Sequence, residues 1–280
     1  MSLAYWNGRV VPAAEVVLTP DDGGFLFGDG LFETLFVEHG SAFDVAGHLD
    51  RLFAGLARIK LEIPEERDTL EWTVAEVAFA APRPLARLRI TVTQGSGGLP
   101  TRLVIASPYA PPSAEQYSQG VTAHLFPQYR VDSGGPLVGI KSLCYQACRL
   151  ALHRAEAIGA YEAFLLNERG RLVEGSRSNI ALVFPDGILT PPRAEGCLPG
   201  TVRRRLLELR AISEFALHPE DLATASEVLI MNSLIGVLPI AAVNGRELAV
   251  GPTAARLRTL YRQAVAGLDS APEDSPSRLY

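Results

Sequence analysis

Lysine is scarce in this chain of 280 residues: of 26 basic residues only Lys60 and Lys141 are lysine, and the rest are arginine. Positive charge is also not in excess. The formal net charge is −5 and the arginines are scattered among acids, which leaves no basic footprint for nucleic acid. Cysteine is limited to Cys144, Cys148 and Cys197, an odd number with no paired CxxC spacing. Neither a disulfide framework nor a zinc site is expected, and the three read as small buried thiols. No run of about 18 apolar residues occurs, as a membrane-spanning helix requires. The start, MSLAYWNGRV, lacks the basic and then apolar pattern of a secretory signal. A soluble, cytoplasmic protein without nucleic-acid or membrane partners is the expectation.

Missing motifs exclude further classes. There is no Gly-Lys-Ser/Thr phosphate loop and no GxGxxG between strand and helix. Asp21, Asp22 and Asp29 lack the twelve-residue calcium loop, and no GxSxG elbow marks a serine hydrolase. No metal is expected. The five histidines show no partner spacing, and His48 reads as a hydrogen-bonding residue on the surface of its helix.

What is present is periodic. Asn7-Gly8 between Tyr5-Trp6 and Val10-Val11 predicts a two-residue hairpin. Phe32 to Val37 reads as a strand ending near Gly40, and Leu49, Leu52, Phe53, Leu56 and Ile59 have the spacing of a helix with one buried face. A second helix after Pro64 carries Leu70, Val74 and Val77. Leu85 to Thr93 alternates as a half-buried strand does, with Arg102 to Ala106 as its partner. Beyond the Pro-rich stretch Ser107 to Gly120, strands are expected at 121–126, 161–166, 179–184 and 227–231, with a helix over Ser142 to Ile158 closed by Gly159. At roughly 100 to 200 residues per domain, the length suggests two. We place them at 1–110 and 121–268, joined by a linker over 111–120 and followed by a disordered tail over 269–280.

Four features carry chemistry, three of them with a bland alternative. Lys141 follows the apolar run 136–140, where a lysine is expected to be partly buried. Glu174 lies where a strand meets a Gly/Ser turn, as a solvated turn residue or as a buried partner for a ring nitrogen. Pro199-Gly200 precedes helical spacing, so the N–H groups of Thr201 and Val202 form a helix end suited to phosphate, or a plain junction with Arg203, Arg204 and Arg205 on a wet face. Ser233 after a strand could bind an anion or cap a helix. In the order Lys141, Glu174, Gly200, these are the parts pyridoxal phosphate needs: a Schiff-base lysine, a pyridinium partner and a phosphate cup.

The segments GFLFGDGLFET, HLDRL, GIKSL, YEAFLLNERGRLVEGSRSNIALV, CLPGTVR and NSLIGVLPI, in that order, resemble the class IV pyridoxal-phosphate enzymes. That family includes branched-chain and D-amino acid aminotransferases and aminodeoxychorismate lyase. The resemblance implies an α/β (α+β) chain with a small N-terminal domain, a larger C-terminal domain around a β-barrel-like core, and pyridoxal 5'-phosphate between them in a homodimer. It implies that Lys141 bonds the cofactor and moves protons, and that Glu174 faces the pyridine nitrogen. Arg51, the backbone of Thr201 and Val202, and Ser233 would hold the phosphate, and Tyr145 the phenolic oxygen. LRITVTQGSGG and NSLIGVLPI are similar to the lyase group, which makes conversion of 4-amino-4-deoxychorismate to 4-aminobenzoate and pyruvate the leading expectation. The alternative is transamination of branched-chain or D-amino acids with a 2-oxo acid. Phe32, Arg89, Arg102 and Leu234 are the expected contacts for a small amino substrate bearing a carboxylate.

Overall fold

The computed structural model describes residues 3–81 and 84–269, so the expected tail beyond Asp269 lies outside the described residues. Strands β1 (Leu3–Trp6) and β2 (Arg9–Pro12) form the expected hairpin, with Trp6 opposite Arg9 and Asn7 and Gly8 both at positive φ. The short helix α1 (Gly23–Phe27) follows, then β3 (Gly30–Glu38) and β4 (Ser41–Ala42). Helices α2 (Val45–Ile59) and α3 (Arg67–Phe79) precede the long strands β5 (Leu85–Ser96) and β6 (Leu99–Pro108).

These six strands make one antiparallel sheet in the order β2-β1-β6-β5-β3-β4. Alternation along β5 sends Ala86, Leu88, Ile90 and Val92 to one face, where they pack with Leu49, Leu52, Leu56, Leu70, Val74 and Val77 of the two helices. Burying such a side chain stabilises by about 1.5–3 kcal/mol, enough to fix the register of the sheet. The opposite face of β3 and β5 is left for the site.

The stretch expected to be a linker is structured. It contains α4 (Ala114–Gln119), started by a capping box between Ser113 and Gln116, and the Tyr117 hydroxyl donates to Ile235 O at 3.0 Å. Its single apolar anchor gives no periodicity to read. Then come β7 (Val121–Val131), α5 (Gln146–Ala157), β8 (Glu162–Asn167), β9 (Leu172–Gly175), β10 (Asn179–Phe184) and β11 (Gly187–Thr190). The chain closes with α6 (Thr201–Glu208), β12 (Ser213–Glu214), α7 (Asp221–Thr224), β13 (Glu227–Asn232), β14 (Gly236–Val243), β15 (Arg246–Glu247) and α8 (Thr253–Asp269). The second, nine-stranded sheet runs β12-β11-β10-β13-β14-β7-β8-β9, with β15 on β14. It is a mixed sheet: β7 is parallel to both β14 and β8, with α5 in the β7–β8 crossover. Two curled sheets with helices give the expected mixed α/β class.

Several local expectations are corrected. The helix expected from Ser142 starts at Gln146, because Leu143 N donates to Gly30 O and Ser142 bridges Leu31, which holds these residues against the start of β3. The apolar run before Lys141 is a series of turns over 136–139. Cys144 is exposed, not buried, and Cys148 is intermediate; Cys197 alone is buried. Arg203 is not on a wet face: it is 2% exposed and paired with Glu214, its guanidinium also donating to Pro191 O. No helix in the described residues is long and apolar enough to cross a membrane.

Candidate active site

The face of β3 and β5 turned away from the helical core looks into a cavity of about 580 Å³, a volume typical of small-molecule sites. Lys141, Glu174, Arg51, Tyr145, Thr201, Ser233, Leu234, Phe32 and Arg89 all line it. Residues spread over 200 positions of sequence are thus brought to one space. Arg102 is not there. Its Nε donates to both oxygens of Glu65 on the helical side of the sheet, because β6 directs residue 102 away from the cavity. The expectation that it meets a substrate carboxylate is corrected.

Lys141 arrives through a turn at Gly139, whose φ of 70° an L side chain would resist. Phe32 N donates to Lys141 O at 3.0 Å and fixes the backbone. The ammonium lies 4.3 Å from the Phe32 ring centroid and 5.3 Å from that of Tyr145. Burial, then the Arg51 charge, bring its pKa from 10.5 down to about 8, with Glu33 and Glu174 opposing. A usable fraction of neutral amine follows near neutral pH.

Glu174 closes β9. Burial raises its carboxyl to about 7, against the N–H of Leu198 and the charges of Lys141 and Arg203. Leu198 N at 3.0 Å and Asn179 Nδ2 at 3.2 Å both donate to Oε2. Among the described residues no donor reaches Oε1, so a protonated ring nitrogen in the cavity would meet an acceptor that protein donors leave free. Tyr145 donates its hydroxyl to Ser176 O at 3.0 Å, and burial pushes its phenol well above the usual range.

The opposite end of the cavity brings the Arg51 guanidinium and a helix N-terminus together. Helix α6 begins at Gly200 with no side-chain cap, so its first N–H groups have no side-chain acceptor. A Cβ on Gly200 would clash with Asn179 Oδ1, which keeps the backbone bare at this point. Val202 turns its side chain into the core, which leaves only its backbone to offer a ligand. Arg51 donates from Nη1 to Pro199 O at 2.9 Å, which sets the guanidinium beside the same turn. Ser233 lies in the turn between β13 and β14, not before a helix, and donates its hydroxyl to Thr34 O at 2.6 Å. What it shows the cavity is an acceptor oxygen.

Two residues of this end escaped sequence reasoning. Glu33 sits on the buried side of β3 and accepts from Arg51 Nε and Nη2 and from His48 Nδ1. Burial would raise its carboxyl, but the Arg51 charge and these hydrogen bonds outweigh that and hold it at about 2. His48 is fully buried, not on the surface, and burial lowers its pKa. Glu33 can only accept, so the proton of the neutral ring is on Nδ1. Nε2 is then left to accept from the Thr201 hydroxyl at 3.4 Å. A lone acid in the apolar run GLFETLFV is the signal that could have found Glu33.

A phosphate at Arg51 and the α6 N-terminus, a ring nitrogen at Glu174 and an amine at Lys141 fit pyridoxal phosphate. Residues 30–243 match the family described as Amino-transferase class IV. A protein of Methanocaldococcus jannaschii, described as a candidate branched-chain-amino-acid aminotransferase, is 31% identical over 86% of this chain and 88% of its own. A bifunctional aminodeoxychorismate lyase / D-amino acid transaminase of Mycobacterium tuberculosis is 28% identical over 92% of this chain and 97% of its own. The branched-chain aminotransferase of Thermoproteus uzoniensis, solved with norvaline, superposes with a TM-score of 0.86 at 25% identity, each chain covered to 96%. The match across most of the sequence places this chain in the class IV aminotransferases, and its cofactor is pyridoxal 5'-phosphate.

Proposed function

We propose that this protein is an aminotransferase that moves the amino group of a branched-chain or D-amino acid to a 2-oxo acid. The observation that carries the reading is the lowered-pKa amine of Lys141 in one cavity with Glu174 and the α6 anion site. The similarity to the Methanocaldococcus and Thermoproteus proteins supports the amino acid class. It favours transamination over the lyase reaction that the NSLIGVLPI stretch suggested.

Arg51 and the N–H groups of Thr201 and Val202 would hold the cofactor phosphate, Glu174 its ring nitrogen, and Lys141 its reactive carbon. When bound, pyridoxal phosphate supplies an electrophilic carbon for the substrate amine and a sink for the electrons released at the α-carbon. Lys141 Nζ moves the proton at that carbon, acting as base when neutral and as acid when charged, which a pKa of about 8 suits. Glu174, whose carboxyl burial raises to about 7, would accept a hydrogen bond from a protonated ring nitrogen through Oε1. Phe32 and Tyr145, edge to face at 5.5 Å, restrict water around the amine.

The lyase activity is a second reading, supported by the similarity to the bifunctional Mycobacterium protein. A panel of L- and D-amino acids with 2-oxoglutarate, run beside 4-amino-4-deoxychorismate, tests both. Amino transfer from a branched-chain or D-amino acid is expected. Release of 4-aminobenzoate without any transamination overturns the first reading in favour of the second. Borohydride reduction and peptide mapping should place the cofactor on Lys141, and an adduct elsewhere overturns its role. A cytoplasmic homodimer completes the proposal, supported by the exposed apolar side chains of α1, Phe25 and Phe27, at 71% and 76%.

A further inference from the structure

Glu162 opens β8 as a carboxylate that the chemistry above does not use. It is fully buried and is not among the residues that line the cavity. Among the described residues only Arg177 comes within ion-pair distance of it, with Nε at 3.9 Å. The carboxylate is met instead by one turn of chain, residues 175–178. Oε1 accepts from Ser176 N at 2.9 Å, from Ser176 Oγ at 2.5 Å and from Ala163 N at 2.9 Å. Oε2 accepts from Ser178 Oγ at 2.7 Å. A buried acid without a close cation is costly unless its oxygens are satisfied in this way.

The turn lies directly on the carboxyl group. Gly175 N donates to Ser178 O at 2.7 Å, and a Cβ on Gly175 would come within 2.4 Å of Ser178 Oγ and 2.7 Å of Glu162 Cδ. Ser176 N also donates to Ala163 O at 2.8 Å, so the two serine hydroxyls are the contacts that Glu162 alone supplies. Three groups of the cavity hang on this turn. Glu174 enters it. Asn179 leaves it and donates to Glu174 Oε2 at 3.2 Å and to Leu198 O at 2.8 Å. Ser176 O accepts from the Tyr145 hydroxyl at 3.0 Å, which has no other protein acceptor among the described residues.

We propose that Glu162 is a positioning residue: it draws the hydroxyls of Ser176 and Ser178 to the far side of the turn, aims the Ser176 carbonyl at Tyr145 and fixes Glu174 and Asn179 about the cofactor ring. This rests on the cofactor arrangement given above. The effect is geometric. Glutamine at 162 keeps it, because its oxygen accepts from Ser176 while its amide donates to Ser178 Oγ, a hydroxyl that can accept as well as donate. Alanine at 162 leaves both hydroxyls without a buried partner, and the turn rearranges to find others.

The test uses the full chain with pyridoxal 5'-phosphate, followed by cofactor titration and visible circular dichroism. Glu162→Ala is expected to weaken cofactor binding by about tenfold to a hundredfold, the range for hydrogen bonds to a charged group, and to change the dichroism of the bound cofactor. Glu162→Gln should stay within about threefold of the unsubstituted protein and keep its spectrum. Joined to Tyr145→Phe, Glu162→Ala should cost little more than the larger single loss, because both act through the Ser176 carbonyl. Fully additive losses overturn the proposal. So does a Glu162→Ala protein that melts lower yet binds cofactor with unchanged affinity and spectrum, since Glu162 is then a stability residue alone. If Glu162→Ala does not fold, Ser176→Ala combined with Ser178→Ala leaves the carboxylate its two backbone donors, and unchanged cofactor binding in that variant also overturns the proposal. Hydrogen exchange of residues 174–179 in the apoprotein examines the turn without the cofactor. Faster exchange in Glu162→Ala, with Tyr145→Phe and Glu174→Gln both indifferent to cofactor, means that the cofactor arrangement fails and the ordering of the turn stands. Unchanged exchange refutes the role of Glu162 and leaves that arrangement intact.

Discussion

Glu33 grips one edge of the Arg51 guanidinium, Nε to Oε1 at 2.7 Å and Nη2 to Oε2 at 2.6 Å, from a strand whose neighbouring side chains are mostly apolar. The pair does more than balance charge. It turns the remaining donors of Arg51 to the Pro199 turn, where α6 begins, so a residue that touches no ligand sets the phosphate end of the site.

Glu33→Gln should therefore weaken cofactor binding by about tenfold or more and lower unfolding stability by about 3–5 kcal/mol, as breaking one half of a buried pair does. Cofactor titration by absorbance and urea unfolding measure the two. The folded carboxyl sits at about 2, below its ordinary 4.5, so its contribution is full above about pH 4.5 and is lost as pH falls towards 2. The variant should lack that acid limb.

Glu174 gives the opposite slope. Its folded pKa of about 7 exceeds the ordinary 4.5, so between those values the folded apoprotein binds a proton that the unfolded chain releases. Apoprotein stability should fall as pH rises through that window. Glu174→Gln should flatten the fall in thermal melting, and an unchanged slope would show that the carboxyl is not the cause.

Gly200→Ala places a Cβ on Asn179 Oδ1. Asn179 also donates to Leu198 O at 2.8 Å and to Glu174, so the displacement reaches both ends of the site. An overpacking loss of about 1–3 kcal/mol is expected, with cofactor affinity falling more than for a surface alanine such as Ala114→Gly. Thermal melting with and without cofactor separates the effects.

Phe25→Ser combined with Phe27→Ser should shift the protein towards monomer in sedimentation, with the fold kept by circular dichroism. These rings are exposed and belong to none of the buried clusters of the described residues. A dimer that persists at micromolar concentration would refute the assignment of α1 to the contact.

Much of the cofactor chemistry was legible in the sequence. Lys141 stood out because arginine supplies nearly all other positive charge and its guanidinium, always protonated, cannot form the imine a lysine amine forms. Glu174 and Gly200 were readable from the strand and turn signals beside them. Strands β3, β5 and β6 and helix α2 were visible through their periods of 2 and 3.6, because each buries only one face.

Pairing between distant residues was not legible. Glu33, His48 and Arg203 are buried because their partners come from other elements, and a polar residue scored alone reads as solvated. Arg102 and Arg89 look alike in sequence, and only the strand faces separate them: Arg102 meets Glu65 behind the sheet, while Arg89 has Phe32 and the cavity before it. The start of α5 was misplaced because tertiary hydrogen bonds from β3 overrode local propensity at Ser142 and Leu143.

By itself the sequence determined the residue types that chemistry requires and the local periods that build strands and helices, since these depend on covalent nature and neighbours a few positions away. The tertiary structure alone decided which charges face one another. Coulomb energy and desolvation depend on distance and burial, and those exist only once Lys141, Glu174 and Arg89 share one cavity.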